Sequence, residues 1–235
     1  MAARDLSGRT LGAFVLHERV DEVGPLAVYR GEQRLLKRDV VVKVLHRQCD
    51  DDARELFLRE VRLASQLRHY AAHIYSFGCE EGFQWVAMEQ VHGVSLQEWL
   101  ERHGPMPLEQ FVPFFECIAQ VVQAAHAREL VHRALTPANV MVFEEAGWLF
   151  PKLDFGIDRI ARSDAGRGSS VYRSPEQGND ADAVGAAADT YALGVVAYEC
   201  LAGRRPYLSE NAVTVAMMHI RDPLPPLPND VPPVA

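Results

Sequence analysis

Paired cysteines, a surplus of cations and an unbroken apolar run are all missing from this chain, and each absence removes a class of protein. The four cysteines, Cys49, Cys79, Cys117 and Cys200, stand far apart, with no Cys-x-x-Cys pair and no Cys/His cluster. That spacing offers neither a disulfide framework nor a zinc site, and it fits a reducing, cytoplasmic location. Lys and Arg number 24 against 32 Asp and Glu, for a net charge of −8. Nucleic acid and anionic membrane surfaces attract cationic proteins, so broad binding to either is not expected. The most apolar long stretch, Ala183 to Gly203, is interrupted by Asp189 and Glu199, and Met1 to Thr10 is polar. Neither a membrane span nor a secretory signal is expected.

What is present is a chain of 235 residues, 48% hydrophobic, which suffices for one good core or two small ones. The first third reads as sheet with one helix. Phe14 to Val20, Ala27 to Gln33 and Val40 to Leu45 are short runs rich in Val, Leu and aromatics, and Ile74 to Phe77 and Phe83 to Met88 add two more. Between them, Cys49-Asp50-Asp51-Asp52 supplies acids that favour a helix start, and the helix is expected to reach about Arg68. From residue 90 the helical period dominates. Ser95 can cap a helix closed by Gly104, Leu108 to Leu130 is a long amphipathic segment containing Pro113, and Ala186 to Leu201 is apolar almost all round before Gly203. Strands are expected at Val140 to Phe143 and Leu149 to Leu153, and a helix near Asn211 to Arg221. Six prolines between Pro223 and Ala235 mark an extended tail.

Three charges do not suit their positions. Glu60 falls inside the arc formed by Phe57, Val61, Ala64 and Leu67 on a helical wheel, and Lys43 shares a strand face with Val41 and Leu45. A Lys43–Glu60 ion pair between strand and helix is one resolution; snorkelling of each head group to water is the other. Asp189, near the start of the apolar helix, reads as a scaffold carboxylate that accepts backbone N–H bonds, and Glu199 as a partly exposed surface acid.

The order of motifs from Phe14 to Asp222 resembles a protein kinase of the bacterial Ser/Thr type. Val40-Val41-Val42-Lys43 is similar to the family's lysine-bearing strand, Glu60 to its helix glutamate, and Met88-Glu89-Gln90-Val91 to its gatekeeper and hinge. Val131-His132-Arg133-Ala134-Leu135-Thr136-Pro137-Ala138-Asn139 resembles the catalytic loop, Asp154-Phe155-Gly156 the metal-binding triplet and Ser174-Pro175-Glu176 the end of the activation segment. Asp189-Thr190-Tyr191-Ala192-Leu193-Gly194 is similar to the opening of the buried helix. The resemblance implies an α+β, bilobal kinase-like fold: an antiparallel-sheet N-lobe over residues 1–89, a mainly helical C-lobe over 90–222 and a Pro-rich tail over 223–235. It further implies an ATP site lined by Val28, Val41, Met88, Glu89, Val91 and Met141, with Lys43 on the phosphates and Glu60 positioning it. Mg²⁺ would be held by Asn139 and Asp154, whose simpler role is to cap local turns. Asp189 would tie down the His132-Arg133 backbone.

Departures from the pattern bear on activity. The position of the aspartate that orients and deprotonates the acceptor hydroxyl is Ala134, and that of the lysine aimed at the γ-phosphate is Thr136. Each such group typically contributes about 10²–10⁴-fold, so the combined defect is large. The glycine-rich loop falls on Asp21, Val23 and Leu26, leaving Gly24 beside Pro25, and Val41 stands where the family has a small Ala. The expectation is a pseudokinase signalling module with weak ATP–Mg²⁺ binding. The alternatives are a divergent active Ser/Thr kinase, with Asp158 as the nearest substitute carboxylate, and a protein-interaction module that holds no nucleotide. Ser163, Ser169 and Ser170 would be acceptors in the activation segment, and Arg133 would grip a phosphate there. Family members continue with further helices after the one near Arg221. This chain therefore reads as a C-lobe truncated at its C-terminal end, with Glu176 lacking its family partner and an apolar floor that a partner chain could cover.

Overall fold

Strict alternation in Val40–Leu45 decides how the sheet is built. In the computed structural model, which describes residues 5–23, 26–45, 51–155, 170–178 and 185–228, this run is the inner part of β4 (Arg38–Leu45). Val40, Val42 and Val44 point to one face, into a core with Leu6, Leu11, Phe14, Leu16, Ala27, Tyr29 and Trp85. Leu45 points to the other, with Leu26, Val86, Phe57 and Val61. A strand buried on both faces loses the polar alternation of a half-exposed one and reads as a continuous apolar run.

The sheet is antiparallel with six strands in the order β1-β2-β3-β4-β6-β5. β1 is Thr10–Leu11, β2 Phe14–Val23, β3 Leu26–Gln33, β5 Ile74–Glu80 and β6 Phe83–Glu89. α1 (Asp51–Ala64) covers the second face through Phe57 and Val61. It ends four residues before the expected Arg68. The Gln66 N–H donates to Leu63 O and the Leu67 N–H to Ala64 O, bonds of i→i−3 type that tighten the last turn, and His69 then takes φ 60°. The two-residue β1 carries too short a pattern to be seen in sequence. On the first face Phe14 meets Trp85 edge-on, with ring centroids 5.6 Å apart.

The second half is built on helices. Ser95 caps α2 (Leu96–His103) by accepting the Glu98 N–H, the Glu98 carboxylate accepts the Ser95 N–H in return, and Gly104 at φ 76° ends the helix. α3 (Leu108–His126) turns its buried Phe114, Ile118, Val121, Val122 and Ala125 to the core. It stops short of Leu130 because the Leu130 N–H reaches back to Ala125 O and the Glu129 N–H to His126 O, with Glu129 at φ 58°. That is a Schellman closure without glycine, which leaves no composition signal. β7 (Val94–Ser95), β8 (Val140–Glu145) and β9 (Trp148–Leu153) form a small sheet, and Trp148 in the β8–β9 turn is half exposed. α4 (Ala186–Ala202) buries Ala188, Asp189, Ala192, Val195, Val196, Tyr198 and Cys200 and closes at Gly203 with φ 65°; α5 (Ala212–Arg221) is capped by Asn211. Pro223 to Pro228 has no regular structure. None of the described helices is long and apolar enough to cross a membrane.

The described residues fall into two compact units, one running to Val91 and including Phe155, the other formed by His92–Asp154 and the described residues from Ser170 onward.

Candidate active site

In the first unit, sheet register brings four of the expected residues to one face. Lys43 lies opposite Val28 on β3 and Val86 on β6, and Val41 lies opposite Met88. Directly opposed residues in an antiparallel pair share a face, so Val28, Val41, Lys43, Val86 and Met88 all point to the side that α1 covers. On α1, Glu60 follows Phe57 by three residues and precedes Val61, the two residues that pack on Leu26, Leu45 and Val86. Lys43 is 3% exposed and Glu60 6%. Both charges lie in the same dry layer between strand and helix, which disposes of snorkelling to water. Glu89 and Val91 are half-buried at the end of β6, and the Glu89 carboxylate accepts the His73 N–H at 3.1 Å.

The hairpin joining β2 and β3 carries the positions expected to form the glycine-rich loop. Val23 pairs with Leu26, and Leu26, where the last loop glycine is expected, is 1% exposed and packs on Leu45, Phe57, Val61 and Val86. Asp21 and Glu22 are exposed, and Glu22 meets Arg19 at 2.7 Å. Gly24 and Pro25 lie outside the described residues.

In the second unit the loop His132 to Asn139 is held at both ends. Asp189, 1% exposed, accepts the His132 N–H on Oδ2 and the Arg133 N–H on Oδ1, each at 2.7 Å. Arg133 has φ 63°, an uncommon conformation for a residue with a Cβ, and the two bonds from Asp189 maintain it. His126 Nε2 adds a third contact to Asp189 Oδ2 at 2.8 Å. Sequence gave no sign of His126, which sits 63 residues away in the last turn of α3. Asn139 Nδ2 donates to Ala134 O at 2.7 Å, and the Asp154 N–H donates to Asn139 O at 3.3 Å.

The Asp154–Asn139 backbone bond sets the Asn139 amide and the Asp154 carboxylate, two side chains that carry oxygen, beside each other at one end of the β8–β9 pair. Mg²⁺ takes one or two oxygens from protein and the rest from phosphates and water, so this donor set fits it. No cluster of three or more His, Cys, Asp or Glu suited to a metal occurs among the described residues. Met141 is half-buried on β8. Ala134 is 8% exposed and Thr136 7%: a methyl and a hydroxyl occupy the places where a carboxylate and an ammonium are expected. Asp158, Ser163 and Ser169 lie outside the described residues, as does the side chain of Ser170.

Beyond the loop, Glu199 departs from its expected surface role. It is half-buried and accepts the Tyr172 hydroxyl at 2.6 Å. Burial first, and the neighbouring Glu199 second, push the Tyr172 hydroxyl far above its ordinary range; burial likewise raises the Glu199 carboxyl, which the Tyr172 bond and Arg205 oppose. Cys200 beside it is pushed up to about 12 by burial. A thiol so shifted is an inert core residue. On α5, His219 bonds Tyr191 through Nδ1 at 2.6 Å and Val171 O through Nε2 at 3.0 Å. Burial lowers its pKa. Glu176 is exposed.

The first unit thus carries a buried lysine on a strand with a buried glutamate on the helix over it, and the second an Asn and an Asp flanking one end of the β8–β9 pair beside a loop clamped by a helix carboxylate. The protein kinase domain profile matches residues 25–229, and the chain belongs to that family, among the bacterial Ser/Thr kinases. It is 34% identical to the serine/threonine-protein kinase PknA of Mycobacterium tuberculosis over 94% of its own length and 54% of that protein. It is 31% identical to PrkC of Bacillus subtilis over 91% of its length and 34% of that protein. The chain thus spans about half, or less, of these curated relatives. The solved kinase domain of Mycobacterium tuberculosis PknI superposes with a TM-score of 0.66 at 27% identity, covering 87% of this chain and 80% of that one.

Proposed function

We propose that this domain is a pseudokinase: it keeps the frame of a Ser/Thr kinase, transfers phosphate poorly or not at all, and acts through contacts with other proteins in the cytoplasm. The observation that carries the reading is Ala134. It sits in a loop that Asp189 holds by the His132 and Arg133 N–H groups and Asn139 by the Ala134 carbonyl, and it puts a methyl group where the resemblance implies a base. A methyl group neither orients a hydroxyl nor takes its proton. Nucleotide binds weakly with Mg²⁺: Lys43, positioned by Glu60, meets phosphates, Asn139 and Asp154 hold the metal, and Val28, Val41, Met88, Glu89, Val91 and Met141 line the base. Bound Mg²⁺ would screen phosphate charge; the chain's own part is to place these donors.

A reading without nucleotide is favoured by one feature, the burial of Leu26 where a phosphate loop needs bare backbone. Melting temperature separates the two. Millimolar ATP with Mg²⁺ should raise it by a few degrees, and Lys43→Met should abolish the rise; no rise in the unmodified protein would favour the nucleotide-free module. Phosphotransfer from radiolabelled ATP, with Asp154→Asn as control, should stay at background. Asp154-dependent transfer at an ordinary kinase rate would refute the pseudokinase and leave the divergent active kinase.

A further inference from the structure

Two open depressions, of about 340 and 190 Å³, lie side by side on the second unit and share Pro107, Gln110 and Gly147. Trp99, Pro105 and Leu149 line the larger and Trp148 the smaller, so aromatic and proline rings wall the pair. The walls are held before any partner arrives. Trp99 stacks on His103 with ring centroids 4.6 Å apart, and His103 Nδ1 bonds Trp99 O at 2.9 Å. Ala146 and Gly147, with φ of 53° and 82°, form the two-residue turn that sets Trp148 opposite Glu145. Trp148 is nevertheless 52% exposed, a large apolar ring that the fold itself leaves uncovered. The charge along this groove has one sign. Glu144 lines the larger depression and Glu109 the smaller, and neither Lys nor Arg lines either. Among the described residues, neither carboxylate, nor the Gln110 side-chain amide, nor the indole N–H of Trp99 or Trp148 takes part in a hydrogen bond or ion pair.

We propose that this groove docks an extended, proline-containing segment of a partner protein that carries Arg or Lys at its flank. The inference rests on the reading of the domain as a protein-binding module and gives that partner its chemistry. A polyproline II segment turns once in three residues and rises about 3.1 Å per residue, so the two prolines of Pro-x-x-Pro fall on one face about 9 Å apart. Each can enter one depression, with the shared ridge of Pro107, Gln110 and Gly147 beneath the residues between them. Proline has no N–H, so such a segment presents mainly carbonyls. The indole N–H groups and the Gln110 amide are donors, the complement it needs, and aromatic walls are what proline rings pack on. Both surfaces are stiff, which keeps the ordering cost of binding low. Charge then selects the flank: Glu109 and Glu144 favour Arg or Lys there and disfavour an acid. This is what distinguishes the partner from a second copy of the chain, whose own Pro223 to Ala235 run holds Asp230 and neither Lys nor Arg.

The test uses the full chain without nucleotide and measures fluorescence anisotropy with four labelled peptides. The first is Arg-Pro-Leu-Pro-Pro-Leu-Pro-Arg, the second has Glu in place of both Arg, the third has Ala in place of every Pro, and the fourth is this chain's own Pro223 to Ala235 sequence. The first should bind about tenfold more tightly than each of the others. Trp148→Ala, checked for an unchanged melting temperature, should weaken that binding about tenfold. Glu109→Gln combined with Glu144→Gln should remove the preference for Arg over Glu and keep the preference for Pro over Ala. In proton–nitrogen NMR spectra the first peptide should shift the indole N–H signals of Trp99 and Trp148 and leave that of Trp85, in the first unit, in place. Equal affinity for the first three peptides, binding undiminished by Trp148→Ala, or no binding at millimolar concentration would each overturn the proposal. So would tightest binding of the chain's own sequence, which would make the occupant a second copy. Phosphotransfer at an ordinary kinase rate with intact peptide binding would refute the pseudokinase reading alone, and background phosphotransfer without peptide binding would refute the groove alone.

Discussion

The loop from His132 to Asn139 and the hairpin joining β2 to β3 have both departed from the kinase pattern, but in physically opposite ways. In the loop, Ala134 and Thr136 stand where the resemblance implies an aspartate and a lysine, while Asp189, His126 and Asn139 hold the backbone in place. At the hairpin, a position expected to be glycine became Leu26, and that leucine was built into the core beneath the sheet. In the loop the backbone frame does not depend on the side chains at 134 and 136; at the hairpin the fold depends on Leu26 itself.

The largest expected effect tests that dependence. Leu26→Gly removes a fully buried side chain and adds backbone freedom, and should lower unfolding free energy by about 3–5 kcal/mol in urea titration. A loss below about 1 kcal/mol would erase the contrast with the loop. Asp189→Ala strands two backbone N–H groups and His126; taking about 1 kcal/mol, the low end for an unsatisfied buried group, for each, about 3 kcal/mol is expected, with faster hydrogen exchange at His132 and Arg133. Exchange that stayed slow would mean the frame has another source. Tyr172→Phe removes the bond to Glu199 and should cost about 1–2 kcal/mol by the same titration.

The smallest effect is a pH dependence. The ring of His219, bonded by Tyr191 and Val171 O and packed on Tyr207, has a folded pKa below its ordinary 6.5. Between that lowered value and 6.5 the unfolded chain binds more protons, so this residue's contribution makes stability fall as pH drops through the window, by at most about 1.4 kcal/mol per pH unit. Glu199 has the opposite sign: between 4.5 and its raised folded value the folded state binds more protons, so its contribution makes stability fall as pH rises through that window. Comparing His219→Phe with the unmodified chain across pH 4 to 7 isolates the first contribution. An unchanged slope would show that His219 is not its source.

Much of the fold was legible because it follows from periods and caps. Val40–Leu45, the Ser95 cap and Gly203 each announce a local geometry, and Asp189 and the Lys43/Glu60 misfits announced buried charge. The termini of α1 and α3 were not legible, since i→i−3 bonds and a Schellman turn at Glu129 carry no obligatory residue. His126, the Tyr172–Glu199 bond and the Tyr191–His219–Val171 chain were also hidden. They join residues 27 to 63 positions apart, and nothing local in sequence specifies such a meeting.

The three tryptophans divide between the two halves in a way that makes the chain its own spectrometer. Trp85 is buried against Phe14 in the first unit, Trp99 stacks on His103 at 4.6 Å in the second, and Trp148 stands half exposed in its turn. Blue emission from Trp85, imidazole quenching at Trp99 and red emission from Trp148 are separable signals, so unlabelled protein can report whether sheet and helices melt together or one after the other.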